Sequence, residues 1–192
     1  NLTILTCDVP LNSITTNILL NQATMNWDTV SGAHHYEIRF KELSSPTWQY
    51  IPEYSTSRTK TNLTSATYYQ WQVSTICNAA GTSVSSWSDT ITFQTMVPCT
   101  TPTNPSDSVV GLNFATLTWD NDTAVWAYRI RYRKTGAWLF DTTYTNSSTL
   151  SGLDNASLYN WQVKAMCDVN GNNGSAWTAN QQFATLIPCS DP

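Results

Sequence analysis

The feature that most constrains this chain is an internal repeat. The segment 23–28, ATMNWD, returns as 115–120, ATLTWD, and the segment 69–73, YQWQV, returns as 159–163, YNWQV. Self-similarity over a fixed period predicts that each copy forms one structural unit. A chain of 192 residues has room for two such units, each with its own core.

A second repeated motif, C-x-x-P, marks where the copies begin. It occurs at Cys7, Cys99 and Cys189. We therefore expect two domains, at 7–98 and 99–188. Residues 1–6 resemble the residues before the other two motifs and are expected to be the tail of a preceding repeat, and residues 189–192 the start of a following one. The short segment 96–102 contains Pro98 and Pro102, and we expect it to restrict the angle between the two domains.

The hydrophobic pattern of each copy predicts β-strands. In the segment 36–41, YEIRFK, apolar residues alternate with polar ones, which is the period of a strand with one buried face. Nine Trp, nine Tyr and only 11% charged residues also favour β-structure. About seven short strands per copy, separated by Gly, Asn, Ser and Pro, predict an all-β fold of two tandem seven-stranded Greek-key sandwiches.

The sequence of both copies resembles the fibronectin type III family. Trp27 and Trp119 stand where that family has its strand-B Trp, and Leu63-x(3)-Thr67-x-Tyr69-x(3)-Val73 is similar to its L-x-P-x-T-x-Y-x(3)-V signature, with Ser65 in place of the Pro. The resemblance implies that Tyr69 and Tyr159 are corner tyrosines whose hydroxyls bond to upstream backbone. The expected core aromatics are Trp27, Tyr36, Tyr69, Trp71, Trp119, Tyr128, Tyr159 and Trp161.

The five cysteines are widely spaced, which predicts structural disulfides and an oxidising, extracellular compartment. Two pairings respect the repeat: Cys7–Cys77 with Cys99–Cys167, or Cys77–Cys99 with Cys167–Cys189. The chain resembles a type III variant, common in secreted bacterial multidomain proteins, that carries C-x-x-P at the domain start and Cys at the end of strand F. In the type III topology the first strand starts at the pole where strand F ends. That resemblance implies the first pairing. Cys189 is then unpaired, or paired within a missing repeat.

Several function classes are disfavoured by the sequence. The net charge is −4 and no apolar run is long enough to span a bilayer, so neither nucleic acid nor a membrane span is expected. Catalytic and phosphate-binding motifs are absent, and we expect no enzyme activity, metal or cofactor. His34 and His35 have no counterparts in the second copy. Asp120-Asn121-Asp122 is interpreted as turn chemistry rather than as a calcium loop.

Two surface features remain as binding candidates. Trp126 has no counterpart in the first copy and could stack on a sugar ring. Arg129, Arg131 and Arg133 alternate with core residues, which predicts a solvated basic stripe, or one that pairs with acidic groups of a neighbouring domain. By contrast, Trp48 and Trp138 are interpreted as sheet packing, and Trp87 and Trp177 as packing near Arg or Lys stems.

The sequence therefore favours a non-enzymatic structural or spacer segment of an extracellular or cell-surface repeat protein, in an adhesin-like array or a filament. The alternative is a carbohydrate-binding or adhesive module that accompanies a secreted enzyme. Expected partners are flanking domains of the same array, other copies in a filament, and glycans.

Overall fold

The computed structural model describes residues 6–189, and the chain divides into two compact units, Asn1–Val97 and Pro98–Pro192. The expected tail of a preceding repeat and start of a following repeat, apart from Thr6 and Cys189, lie outside the described residues. All regular elements in the described part are β-strands. No helix there is long and apolar enough to cross a membrane.

Unit 1 has seven strands: β1 (Ile14–Thr16), β2 (Gln22–Asn26), β3 (His35–Glu42), β4 (Gln49–Glu53), β5 (Ser57–Thr61), β6 (Tyr68–Ile76) and β7 (Ile91–Gln94). They form two antiparallel sheets, of order β1-β2-β5 and β4-β3-β6-β7. The pairing of β2 with β5 and of β3 with β6 skips intervening strands, as a Greek key requires.

Unit 2 repeats this topology with β8 (Ser106–Val110), β9 (Phe114–Thr118), β10 (Ala127–Arg133), β11 (Leu139–Thr143), β12 (Ser147–Ser151), β13 (Leu158–Met166) and β14 (Gln181–Ala184). Its sheets have the order β12-β9-β8 and β11-β10-β13-β14. The predicted fold class, two tandem seven-stranded β-sandwiches, is confirmed.

Aromatic side chains fill the space between the two sheets of each unit. In unit 1 the ring of Trp27 packs against Tyr36 at 5.5 Å and against Trp71 at 6.1 Å, centroid to centroid. In unit 2 Trp119 packs against Tyr128 at 5.2 Å. All eight aromatic residues expected in the core are at most 5% exposed. Burial of this much ring surface is the main favourable contribution to folding of each unit.

Each buried tyrosine needs a partner for its hydroxyl, and the structure supplies one from the backbone. The amide of Thr64 donates to the Tyr69 hydroxyl at 2.9 Å, and the amide of Asp154 donates to the Tyr159 hydroxyl at the same distance. The turn between these groups is tight, with a positive φ of 53° at Ala66. The tyrosine therefore holds the connection between β5 and β6 against the core.

A disulfide closes each unit. Cys7 is bonded to Cys77, with Cα atoms 5.8 Å apart, and Cys99 is bonded to Cys167, with Cα atoms 5.6 Å apart. The bridges span 70 and 68 residues of sequence, and each ties the segment before the first strand to the end of the long strand β6 or β13. Cys189 is a free, exposed thiol.

Replacing Tyr69 by Phe removes the acceptor for the Thr64 amide and leaves a partly buried donor unpaired. We expect this change to destabilise unit 1 by about 1–2 kcal/mol, which is a fall in Tm of roughly 5–10 °C for a domain of this size. Scanning calorimetry of the whole chain measures it, with Tyr159→Phe as the counterpart in unit 2. The neighbouring Tyr68 is half exposed, so Tyr68→Phe should leave Tm unchanged. An equal effect of Tyr68→Phe would contradict the role of the buried hydroxyl.

Candidate functional site

No group of three or more His, Cys, Asp or Glu side chains in residues 6–189 is placed to hold a metal ion. The acidic turn at Asp120 and Asp122 lines an open pocket of about 410 Å³ in unit 2. Asp120 accepts hydrogen bonds from Thr103 at 2.8 Å and Asn104 at 2.7 Å. The backbone amide two residues on and the Thr100 hydroxyl both donate to Asp122 and hold the pKa of its carboxyl below the usual value. These carboxylates therefore fasten the entry segment of unit 2.

The two histidines lie together at the start of β3. Their Nδ1 atoms are 2.9 Å apart, and the ring of His35 stacks on Tyr54 at 5.3 Å. His34 is exposed, and no acidic or cysteine side chain of the described residues joins the pair to form a metal site. The histidines thus belong to a small surface cluster with Tyr54.

Unit 2 has a different aromatic pair at the matching place. Trp126, which is 41% exposed, meets the ring of Tyr144 edge-on at 5.3 Å. Tyr144 is 69% exposed. A large ring that is held by a neighbour yet open to solvent on one side is a surface on which the apolar face of a sugar can stack. The structure therefore leaves Trp126 accessible, with Tyr144 as a second ring that the sequence did not indicate.

The outer face of the four-stranded sheet in unit 1 carries a stack of cations and rings. The guanidinium of Arg39 lies between Trp48, at 4.7 Å, and Trp87, at 4.5 Å. The ammonium group of Lys41 also contacts Trp48, at 5.1 Å. Cation–π contacts of this kind strengthen as the groups lose water. We call Trp87, Arg39, Trp48 and Lys41 the cation–aromatic stack of unit 1.

The central arginine is positioned from below by a glutamine. Arg39 Nε donates to Gln72 Oε1 at 2.7 Å, and the Gln72 amide donates to the carbonyl of Ser88 at 2.6 Å. The Ser88 hydroxyl in turn accepts from the amide of Val73 at 3.1 Å. This chain of bonds joins the segment after β6 to the sheet and places Trp87 against the arginine.

Unit 2 has the same stack and extends it. Arg131 lies between Trp138, at 4.6 Å, and Trp177, at 4.5 Å, and donates to Gln162. Arg133 covers Trp138 at 4.3 Å. Unit 2 has two further cations without counterparts in unit 1. Arg129 lies 4.7 Å from the ring of Phe140, and Lys164 lies 5.3 Å from the ring of Trp177.

These contacts change the interpretation of the basic stripe. The sequence predicted that Arg131 and Arg133 would be solvated, whereas the structure places them against rings, and Arg131 is only partly exposed. The expected packing of Trp87 and Trp177 near Arg or Lys stems is seen in both units. The sequence did not connect that packing with the basic stripe, because the rings come from residues distant in sequence, Trp138 from before the edge strand β11 and Trp177 from before β14. The recurrence of Trp48 and Trp87 at an offset of 90 as Trp138 and Trp177 indicated shared packing roles, and the structure identifies the arginines that they contact.

Arg131→Lys keeps the charge but loses the planar contact with two rings and the bonds to Gln162. We expect it to lower the free energy of unfolding of unit 2 by about 1–2 kcal/mol. Arg133→Lys is the matched control, since Arg133 contacts one ring, and its cost should stay below about 0.5 kcal/mol. Urea unfolding followed by Trp fluorescence measures both. Equal costs for the two variants would show that the stack does not depend on the central arginine.

Comparison with known proteins gives the fold. No family model and no curated protein sequence matches this chain. Among solved structures, the FN1–FN3 domains of chicken CNTN1 match with a TM-score of 0.58 and 16% identity, over 95% of this chain and 69% of that one. A two-domain fibronectin type III segment of chicken tenascin matches with a TM-score of 0.44 and 21% identity, over 93% of this chain and all of that one. Together with the two seven-stranded sandwiches, the first match shows that the chain has a tandem fibronectin type III fold.

Proposed function

We propose that this chain is a non-enzymatic spacer of an extracellular bacterial repeat protein, in which stapled domains supply length and resist unravelling. The domains would act in an adhesin-like array or in an extracellular filament. The observation that carries the proposal is the position of the two disulfides. Each one encloses about three quarters of its unit, including the strands that form most of the core.

The position of each bridge determines how much of the chain a pulling force can extend. Closing a loop of 70 residues removes about 4 kcal/mol of unfolded-chain entropy in the simple loop model. It also prevents the enclosed residues from extending even when the domain opens. A spacer on a cell surface needs this property, and disulfides persist in that oxidising environment.

The surface chemistry of the units is consistent with a spacer role. The described carboxylates at the unit 2 entrance line an open pocket, but they and the two histidines are already occupied by local contacts. The cation–aromatic stacks lie on the outer faces of both four-stranded sheets and hold the segments before β7 and β14 against them. These features stabilise a surface without shaping a substrate site.

Single-molecule stretching of the chain between its ends tests the proposal. With the bridge intact, only the roughly 22 residues between Cys77 and Cys99 can extend when unit 1 opens, to a contour length of about 80 Å, and the step is that length less the folded span. After reduction the whole unit can extend to a contour length of about 330 Å, so the step is several times longer. Unit 2 should behave in the same way.

A Cys7→Ser/Cys77→Ala variant serves as the permanent control for the reduced state of unit 1. The long step should then appear for unit 1 alone, while unit 2 keeps the short step. Long steps in the oxidised wild-type chain would overturn the proposal, because the staples would not limit extension.

A second candidate function, sugar binding, is favoured by the exposed pair of Trp126 and Tyr144. Trp126→Ala should then reduce binding to neutral glycans in an array or pull-down assay by about tenfold or more, since stacking on one ring carries much of such contacts. Trp126→Phe should restore part of the binding. Tyr68→Ala removes a similarly exposed ring in unit 1 and should have no effect. Absence of any glycan binding by the wild-type chain would reject this candidate and leave the spacer role intact.

A further inference from the structure

The outer face of the four-stranded sheet in unit 2 gathers four of the nine basic residues of the chain. Arg129, Arg131 and Arg133 alternate along β10, and Lys164 on β13 lies directly opposite Arg129 in the strand register. We call these four residues the basic ridge. Residues that share a register position lie on one side of a sheet, so the four cations form one surface.

The basic ridge has no acidic partner among the described residues. The ion pairs found there join Arg58 to Glu53 and Lys134 to Asp154, and neither pair includes a ridge residue. The side chains that share the ridge face in the register, such as Thr142, Asn160 and Gln162, are neutral. Arg129 and Lys164 have no hydrogen-bond acceptor within the described part of the chain. Like charges directly opposite on neighbouring strands destabilise a sheet, and an anion between them would remove that cost.

The fold itself does not require these charges. In unit 1 the position of Arg129 is taken by Glu37, opposite Ser74, which takes the position of Lys164. The stack of unit 1 needs only Arg39 and Lys41. Unit 2 therefore carries the same structural stack with two added cations, in a chain whose net charge is −4.

The geometry of the ridge suits a linear anion. Alternate residues of a strand lie about 7 Å apart, so the three arginines span about 13 Å in a row. Trp138 is covered on two sides, by Arg131 and Arg133, and Trp177 by Arg131 and Lys164. These rings thus already contact cations, while the N–H groups of Arg129 have no acceptor among residues 6–189. A guanidinium held flat on a ring presents its edge to carboxylate or sulfate oxygens without further loss of side-chain entropy.

We propose that the basic ridge binds an acidic polysaccharide, through carboxylate or sulfate groups spaced along its chain. This goes beyond the spacer role and does not depend on it. Among linear polyanions, an acidic polysaccharide fits the extracellular compartment that the disulfides indicate. A second copy of this chain is a poorer partner, because most of its described carboxylates already accept local hydrogen bonds. Examples are Asp28, Glu53, Asp120, Asp122, Asp141 and Asp168.

The first repeat supplies the substitutions that test the ridge, since the same fold carries Glu37 and Ser74 at these positions. The variant Arg129→Glu/Lys164→Ser changes the charge by three units. The control Arg58→Ser/Lys60→Glu changes it by the same amount on β5 of unit 1. All proteins carry Cys189→Ser to prevent intermolecular disulfides. Binding is measured by surface plasmon resonance on immobilised polygalacturonate, alginate and heparin, with double-stranded DNA as a separate probe and calorimetry to check folding.

We expect the wild-type chain to bind at least one of the three polysaccharides, and the ridge variant to bind about tenfold or more weakly. The control should stay within about twofold of wild type, and raising NaCl from about 0.05 M to about 0.5 M should weaken binding by screening. If the ridge variant does not fold, Arg129→Gln alone provides the same comparison, with a smaller loss.

Four outcomes would overturn the proposal. One is no binding to any of the polysaccharides. Another is an equal loss in the ridge variant and the control, which would make the effect one of net charge. Tighter ridge-dependent binding to DNA would assign the surface to nucleic acid. The last is self-association without polysaccharide binding. If sedimentation velocity shows that the ridge variant abolishes it, the surface would be assigned to a second copy of the chain.

Discussion

The pairing of β3 with β6, and of β10 with β13, is the constraint on which most of this structure depends. In unit 1 it opposes Ile38 to Val73 and Phe40 to Trp71 on the inner side, and Arg39 to Gln72 on the outer side. Because side chains alternate with a period of two, one register builds the core and the cation–aromatic stack at once. A slip of one residue would bury the arginine and expose Trp71, so each face stabilises the register of the other.

Each disulfide acts on one strand of this pair, β6 in unit 1 and β13 in unit 2. Cys77 follows β6 directly and Cys167 follows β13, so each bridge ties the chain entrance to the end of the longest strand of its unit. The tyrosine hydroxyl bonds hold the other end of the same strand through the turn before it. The central strand of each unit is thereby fixed at both ends.

The two units share this framework and differ in what they present outside it. The position at the start of β3 carries His34 and His35 in unit 1, and the matching position before β10 carries Trp126 in unit 2. The outer face carries Glu37 in unit 1 and Arg129 in unit 2. A repeated fold can vary such residues freely, because they contribute little to the core, and so it can combine one mechanical framework with different surface chemistry.

The sequence by itself determined the repeat, the all-β class, the seven strands of each copy and the aromatic residues of each core. These follow from local alternation and from self-similarity, which are visible without any knowledge of contacts between distant residues. The tertiary structure decided which partners the side chains outside the core contact. Trp138 and Trp177 reach Arg131 from separate segments, Tyr144 reaches Trp126 across the sheet edge, and Lys164 lies opposite Arg129 on another strand. No local pattern encodes these contacts, because they depend on strand order and register, which are set by the packing of the whole sandwich.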